Sequence, residues 1–281
     1  MVQAVRRAAR ILRELATSGP RLGVTELADR MGVAKPTAHA LLRTLEAEGL
    51  VVQDRESSKY QLGPDLVQLG NAYLDTQELR TRSVTWADLL ATRTGEAVWV
   101  AVLNGEQILV VHHAFRPEGA VQILEVGASI PWSTCALGKA VVAFAPEEDR
   151  TRLLGGQLAV LTGASITDPA ALAEQLERVA GTGYAVEEQE SALGDAGIAA
   201  PVFDRSGAVA GAIGIVGPVE RLLAAPGTGD IAGTGNGGGA GNGGGAVRQE
   251  LAVAVRETAR SLSRDLGAPR GTPVPVRRDG P

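Results

Sequence analysis

With 281 residues, 44% of them apolar, the chain has room for one large or two smaller packed domains, and wholesale disorder is excluded. A single cysteine, Cys135, excludes an internal disulfide and any cysteine-based zinc finger, and three histidines (His39, His112, His113) leave little for a histidine-rich metal site. The net charge of -5 divides unevenly: residues 1–63 hold ten Lys/Arg against seven Asp/Glu, a balance of +3, and residues 64–281 hold 17 against 25, a balance of -8. A mildly basic head on an acidic body suits a small nucleic-acid module joined to a second domain. No apolar run approaches the ~18 residues of a membrane span. Arg6, Arg7 and Arg10 precede no apolar signal-peptide stretch, so a cytoplasmic protein with no membrane partner is expected.

In chain order, residues 3–17 predict a first helix, with Val5, Ala8, Leu12, Leu15 and Ala16 on one face and Gly19 and Pro20 as its stop. Thr25 is the expected cap of a second helix running to Met31, with Leu27, Ala28 and Met31 apolar and Gly32 at its end. Pro36 sits in the first turn of a third helix, which runs to Glu48 and buries Ala38, Leu41, Leu42 and Leu45. Two short strands, 50–54 and 59–62, flank the polar turn 55–58. Three helices and a strand hairpin are the layout of a winged helix-turn-helix over residues 1–63. Residues 64–80 predict a linker helix whose apolar residues Leu66, Leu69 and Tyr73 suit dimerisation.

Residues 81–268 predict an α+β domain, an antiparallel sheet flanked by helices. A helix over 82–92 leads into a strand over 97–103, the turn Asn104-Gly105 and a partner strand over 107–113. A strand over 121–126 and a helix over 133–144 follow, then a helix over 169–179 capped by Asp168. Strands are expected at 184–188, 197–203 and 208–216, and a last helix at 247–266. Residues 225–246 hold eleven glycines and predict an inert, flexible insert, without the Lys-Ser/Thr of a phosphate-binding loop; 269–281 read as a disordered tail.

A helix fits the DNA major groove, so the outward positions of the third helix, Lys35, Pro36, Thr37, His39 and Arg43, are candidate DNA contacts. Arg43 can reach guanine or phosphate. Lys35 and Thr37 lie at the helix N-terminus, where free N–H groups favour phosphate. Arg55 and Lys59 on the wing can touch the backbone or the minor groove. Each of these side chains also fits an ordinary solvated surface, and only their setting favours DNA.

The head, AARILRELA…LGVTELADRMGVAKPTAHALLRTLEAEGLVVQD…KYQLG, resembles the winged-helix domain of the IclR family of bacterial transcriptional regulators. Three body segments, GASIPWSTCALGKAVVAF (127–144), GYAVEEQESALGDAGIAAPVFDRSGAVAGAIGIVGPVER (183–221) and SLSRDLGA (261–268), resemble the same family in the same order. Within it, VHHAFRPEG (111–119) and YLDTQELRTRSVTWADLLA (73–91) are similar to actinobacterial glycerol-operon regulators. The resemblance implies a winged-helix domain, a linker helix and a GAF-like effector domain. It also implies double-stranded operator DNA and a small metabolite effector as partners, in a homodimer or, on DNA, a homotetramer. Repression of a small catabolic operon such as glycerol utilisation is the implied role, with glycerol or glycerol 3-phosphate as inducer. Regulation of aromatic or organic acid catabolism is the alternative, and an architectural DNA-binding protein without an effector is a third. The family often has Arg at the place of Ala40, Ser or Thr at that of Cys135, and Cys near that of Gly197, so its ligands do not transfer directly.

For the effector, a few polar groups converging in an apolar shell are needed. The candidates are Trp132, Ser133, Thr134 and Cys135 at a helix start, and Glu190, Asp195, Ala196 and Gly197. The helix N-terminus would favour an anion. Trp132 fits core filling as well as a pocket wall, and Lys139 can pair with an acid instead of a ligand. His112 and His113 are expected on opposite faces of one strand. No metal site, cofactor or catalytic residue is expected. Cys135 with His112 or His113, or Ser191 with Asp195 and a histidine, has no spacing that brings a nucleophile to its base.

Overall fold

A computed structural model describes residues 2–19, 21–118, 123, 125–224 and 246–269. The chain divides into two compact units, Met1–Thr76 and Gln77–Pro281.

The first unit runs α1 (Gln3–Thr17), α2 (Val24–Met31), α3 (Lys35–Ala47), β1 (Val51–Gln53), β2 (Tyr60–Leu62) and α4 (Asp65–Asp75). Its core joins Ile11 and Leu15 of α1, Leu27 and Met31 of α2, Leu42 and Leu45 of α3, and Val51 and Tyr60 of the hairpin. Ile11, Leu27 and Leu42 are wholly buried, each contributing about 1.5–3 kcal/mol by leaving water. The α1 stripe differs from the expected one. Ile11 is its central core residue, and Val5 and Ala16 are exposed, because the packed face is centred on the 8, 11, 12, 15 row. Leu41 of α3 is half-buried. Thr25 is not a cap: α2 begins at Val24, Gly23 holds the N-cap place, and no side chain bonds there. Gly32 closes α2 in the left-handed region, φ 63°, which a glycine adopts without a Cβ clash. Leu22 and Tyr60 exchange both backbone hydrogen bonds (3.0 and 2.8 Å), tying the segment between α1 and α2 to the hairpin.

The second unit opens with α5 (Glu78–Thr94), β3 (Ala97–Asn104), β4 (Gln107–Ala114) and β5 (Ser129–Pro131). A 3-10 turn (Trp132–Thr134) then leads into α6 (Ala136–Val142), α7 (Glu147–Leu154) and α8 (Pro169–Thr182). β6 (Ala185–Glu188), β7 (Asp195–Phe203), β8 (Val209–Pro218), α9 (Val219–Leu222), β9 (Leu223–Ala224), β10 (Ala246–Val247) and α10 (Gln249–Asp265) complete it. Six strands form one antiparallel sheet in the order β5-β4-β3-β8-β7-β6. The architecture is α+β, with the sheet packed by α5 and α10 and by α6 and α8.

Several expected boundaries change. Residues 133–144 are not one helix: the chain makes the 3-10 turn, Cys135 takes the N-cap place, and α6 spans seven residues. The reason lies in packing, since a Cβ on Gly138 would stand 2.1 Å from the Trp132 carbonyl oxygen. Only glycine lets α6 lie this close to the turn that feeds it. The strand expected over 121–126 is absent where the chain is described: Val126 and Gly127 form a turn, residues 119–122 and 124 lie outside the described residues, and pairing resumes at β5. α7 was not expected. Glu147, Glu148 and Asp149 occupy its first turn, where acids complement the helix dipole. Asp168 does cap α8, accepting the Ala170 N–H at 3.0 Å. β9 and β10 pair antiparallel at either end of the glycine-rich stretch, whose residues 225–245 lie outside the described residues, as do 270–281 of the expected tail.

Candidate functional site

In the first unit, Lys35, His39 and Arg43 fall one turn apart on α3 and are exposed, with Pro36 exposed and Thr37 half-buried beside them. Ala38, Leu42 and Leu45 on the opposite side are buried. Among the described residues Arg43 pairs only loosely, with Glu46 at 4.0 Å, and a pair this open is worth at most about 1 kcal/mol, so the guanidinium can exchange it for another anion. Arg55 and Lys59 are exposed on the turn between β1 and β2. Asp54 shapes that turn by accepting the Ser57 N–H (2.8 Å), the Ser57 hydroxyl (2.9 Å) and the Glu56 N–H (3.0 Å). Those bonds, the Ser57 N–H first, hold its carboxyl below the usual range.

In the second unit, the start of α6, β3, β5, β6, β7 and β8 converge on a cavity of about 340 Å³. Cys135, Asp195 and Gly197 line it. Of the other candidates, Trp132 packs in the hydrophobic core, Ser133, Thr134 and Ala196 are buried off the cavity wall, and Glu190 stands behind it. Trp99 of β3 and Glu187 of β6, not singled out from the sequence, and Ser191 of the following turn, weighed there only as a nucleophile, complete the wall together with apolar neighbours. Glu187 was legible in principle: strand alternation puts it on the same face as the fully buried Ala185. Trp99 became a wall residue only through the β3–β8 pairing, which sets it opposite Gly214. A wider groove of about 770 Å³ runs beside α10 with Arg256, Arg260 and Arg264 on its rim. It holds none of the candidate residues.

The electrostatics of the cavity follow from burial. Lys139, one turn into α6, is fully buried, and its ammonium donates to Glu190 Oε1. Glu190 Oε2 has no partner among the described residues. Gln189, just before Glu190, adopts φ 56°, uncommon for a non-glycine residue. The Gln189 side chain steadies that turn by accepting the Gly194 N–H at 3.0 Å. Thr162 and Ser165 donate to the carbonyls of Gln189 (2.6 Å) and Glu190 (2.8 Å). Burial pushes Glu187 up to about 7, opposed by the Glu190 N–H that it accepts at 3.0 Å. Burial also raises Asp195 and pushes the Cys135 thiol up to about 12, which keeps the sulfur protonated and unreactive.

The strand histidines fall on opposite faces as expected, pairing in consecutive register with Val100 and Trp99, and because helices cover both faces of the sheet His113 is buried and His112 half-buried. A bulge opposite Val100/Ala101 interrupts the alternation of β4 just before them. Burial lowers both pKa values, and His113 Nδ1 accepts the Glu125 N–H at 3.1 Å. Among the described residues no cluster of three His, Cys, Asp or Glu side chains is placed to hold a metal ion, and no helix is long and apolar enough to cross a membrane.

Residues 4–55 match the family model described as the IclR helix-turn-helix domain, and residues 71–231 the one described as bacterial transcriptional regulator IclR, C-terminal. The glycerol operon regulatory protein of Streptomyces griseus is 44% identical over 96% of this chain and 98% of its own length. That of Streptomyces coelicolor is 42% identical with the same coverage. The crystal structure of an IclR transcriptional regulator from Alicyclobacillus acidocaldarius superposes with a TM-score of 0.74 at 25% identity, covering 95% of this chain and 98% of that one.

Proposed function

This chain belongs to the IclR family of bacterial transcriptional regulators, and on that premise we propose that it represses a glycerol-utilisation operon and is tuned by a small metabolite held in the second unit. It is a DNA-binding regulator, not an enzyme. Regulators of this family bind operator DNA and small-molecule effectors. The observation that carries the glycerol assignment is the near end-to-end similarity to two glycerol operon regulatory proteins, which takes in both the DNA-reading unit and the cavity-bearing unit.

In this reading α3 enters the major groove of double-stranded operator DNA with Lys35, Pro36, Thr37, His39 and Arg43 toward it, and Arg55 and Lys59 follow the backbone. The effector enters the cavity between α6 and the sheet. Cys135, Asp195 and Gly197 line that cavity, and Glu190 supports it from behind. The regulator works as a homodimer, with two such dimers on one operator as the larger assembly.

The test is binding of the full chain to DNA from the promoter of neighbouring glycerol genes, measured against salt. Affinity falls steeply as salt rises, because phosphates are neutralised by Lys and Arg. Arg43→Ala weakens binding by about 1–3 kcal/mol if its guanidinium reads a guanine. Binding that is flat in salt and indifferent to Arg43→Ala refutes the assignment of α3.

A further inference from the structure

We propose that the cavity takes an uncharged polyol, with hydroxyls donating to Glu187 and Asp195 and accepting from the Trp99 indole, and that it rejects the phosphate ester of the same polyol. The proposal rests on reading this cavity as the effector site, and it decides between two ligands that share a carbon skeleton and differ in charge.

Three observations carry it. First, among the described residues that line the cavity there is no Lys, Arg or His, whereas Glu187 and Asp195 are both in the wall. The segments of this unit outside the described residues but between described ones, 119–122, 124 and 225–245, contain no Lys, Arg or His in their sequence either. Second, among the described residues the one buried Lys or Arg is committed. Lys139 is wholly enclosed and paired with Glu190. Drawing it to an anion would leave Glu190 unpaired in an apolar setting, a change as unfavourable as breaking any buried ion pair. Third, α6 has seven residues and begins beside the Glu187 carboxylate, so its dipole is no substitute for a cation.

A doubly charged phosphate entering this space would lose its water and meet carboxylates, which is the arrangement that disfavours the charged form of both partners. A polyol loses less water and has a use for what the wall offers. The Trp99 indole N–H is buried with no partner among the described residues, an orphan donor suited to a hydroxyl oxygen. The carboxylates accept the hydroxyl protons, and Ile130, Leu137 and Ile215 cover the carbon chain. At about 340 Å³ the cavity lies near the lower end of the roughly 300–1,000 Å³ range of small-ligand pockets.

The experiment titrates the full chain, without DNA, with glycerol, erythritol and glycerol 3-phosphate, reading tryptophan fluorescence and calorimetric heat. At least one polyol saturates, and glycerol 3-phosphate fails to saturate at tenfold higher concentration. Glu187→Gln weakens the polyol about tenfold or more, as the loss of a charge-assisted hydrogen bond does. Glu187→Lys, if it folds, gains response to glycerol 3-phosphate. Saturation by glycerol 3-phosphate below the concentration of either polyol, silence of both polyols, or an unchanged polyol affinity in Glu187→Gln overturns the proposal. A parallel mobility shift on promoter DNA keeps the two readings apart. Failure of the ligand-free chain to bind the DNA refutes the regulator reading and leaves the fluorescence result standing, whereas DNA release by the phosphate ester and by neither polyol refutes only the ligand chemistry.

Discussion

Lys139 and Glu190 show how one pair sets the chemistry of a site without touching it. Both are taken out of water, so the pair holds only while each has the other. Lys139→Met leaves a buried, uncompensated carboxylate, and the expected loss is about 3–5 kcal/mol of unfolding free energy. Lys139→Met combined with Glu190→Leu recovers most of that loss, since an apolar pair needs no solvation. Denaturant midpoints of the single and double variants check this, and equal losses in both would contradict it. Glu187 adds a pH dependence. Its folded pKa, about 7, lies above the ordinary carboxylate value, so the folded state holds its proton more tightly than the unfolded chain. The associated stability is complete below the unfolded pKa and is lost as pH rises through about 7. The groups beside it are Glu190 and Lys139, and His112 and His113, whose pKa values are lowered, act in the opposite sense at low pH. Melting temperatures from pH 5 to pH 8 should therefore fall more steeply for the native chain than for Glu187→Gln. Parallel curves would count against the raised pKa.

Local signals mark elements reliably where a residue has one mechanical role, and poorly where a neighbour sets the conformation. Asp168 caps α8 and Gly32 ends α2 as expected, because each acts on the backbone within a turn of itself. The tight turn after Asn104 follows from Asn-Gly in the same way, with Gly105 at φ 65°. By contrast, apolar periodicity runs unbroken through residues 133–144, and nothing local announces that the chain must first turn around Trp132. The stop is imposed by the backbone lying against Gly138, a contact between residues six apart that only packing creates. The paired histidines keep the alternation expected of a strand, and what no local signal announced is that helices pack on both faces of the sheet, so that neither is fully open to solvent. Of the cavity, Cys135, Asp195 and Gly197 came from motif-bearing segments, Glu187 was within reach of alternation, and Trp99 was not, because its place depends on a partner strand more than a hundred residues away.

At the scale of the whole molecule, α4 asks for a partner. No residue of α4 is buried, and Val67, Leu69 and Tyr73 are 66%, 59% and 43% exposed. A helix with apolar side chains this open gains by covering them with a second copy, the arrangement proposed for the dimer, which also presents two α3 helices to related half-sites. Sedimentation of the full chain is expected to show a dimer at micromolar concentration, and Leu69→Glu with Tyr73→Glu to shift it toward monomer. A native chain that sediments as a monomer even with its DNA site present removes the dimer from the account.

The order of elements in the first unit, the basic head, the acidic body and the residues that face outward on α3 were all decided by the sequence, because helix periodicity, turn residues and charge act over a few neighbours. Lys139 and Glu190 were visible as charged residues in motif segments, but not as a closed pair. That pairing, the convergence of Trp99, Glu187 and Asp195 on one cavity, and the absence of a free cation among its described wall residues were decided only in three dimensions. The reason is physical: burial and pairing are properties of the space between elements distant in the chain, and it is burial that turns an ordinary surface type such as Glu or Lys into the group that selects a ligand.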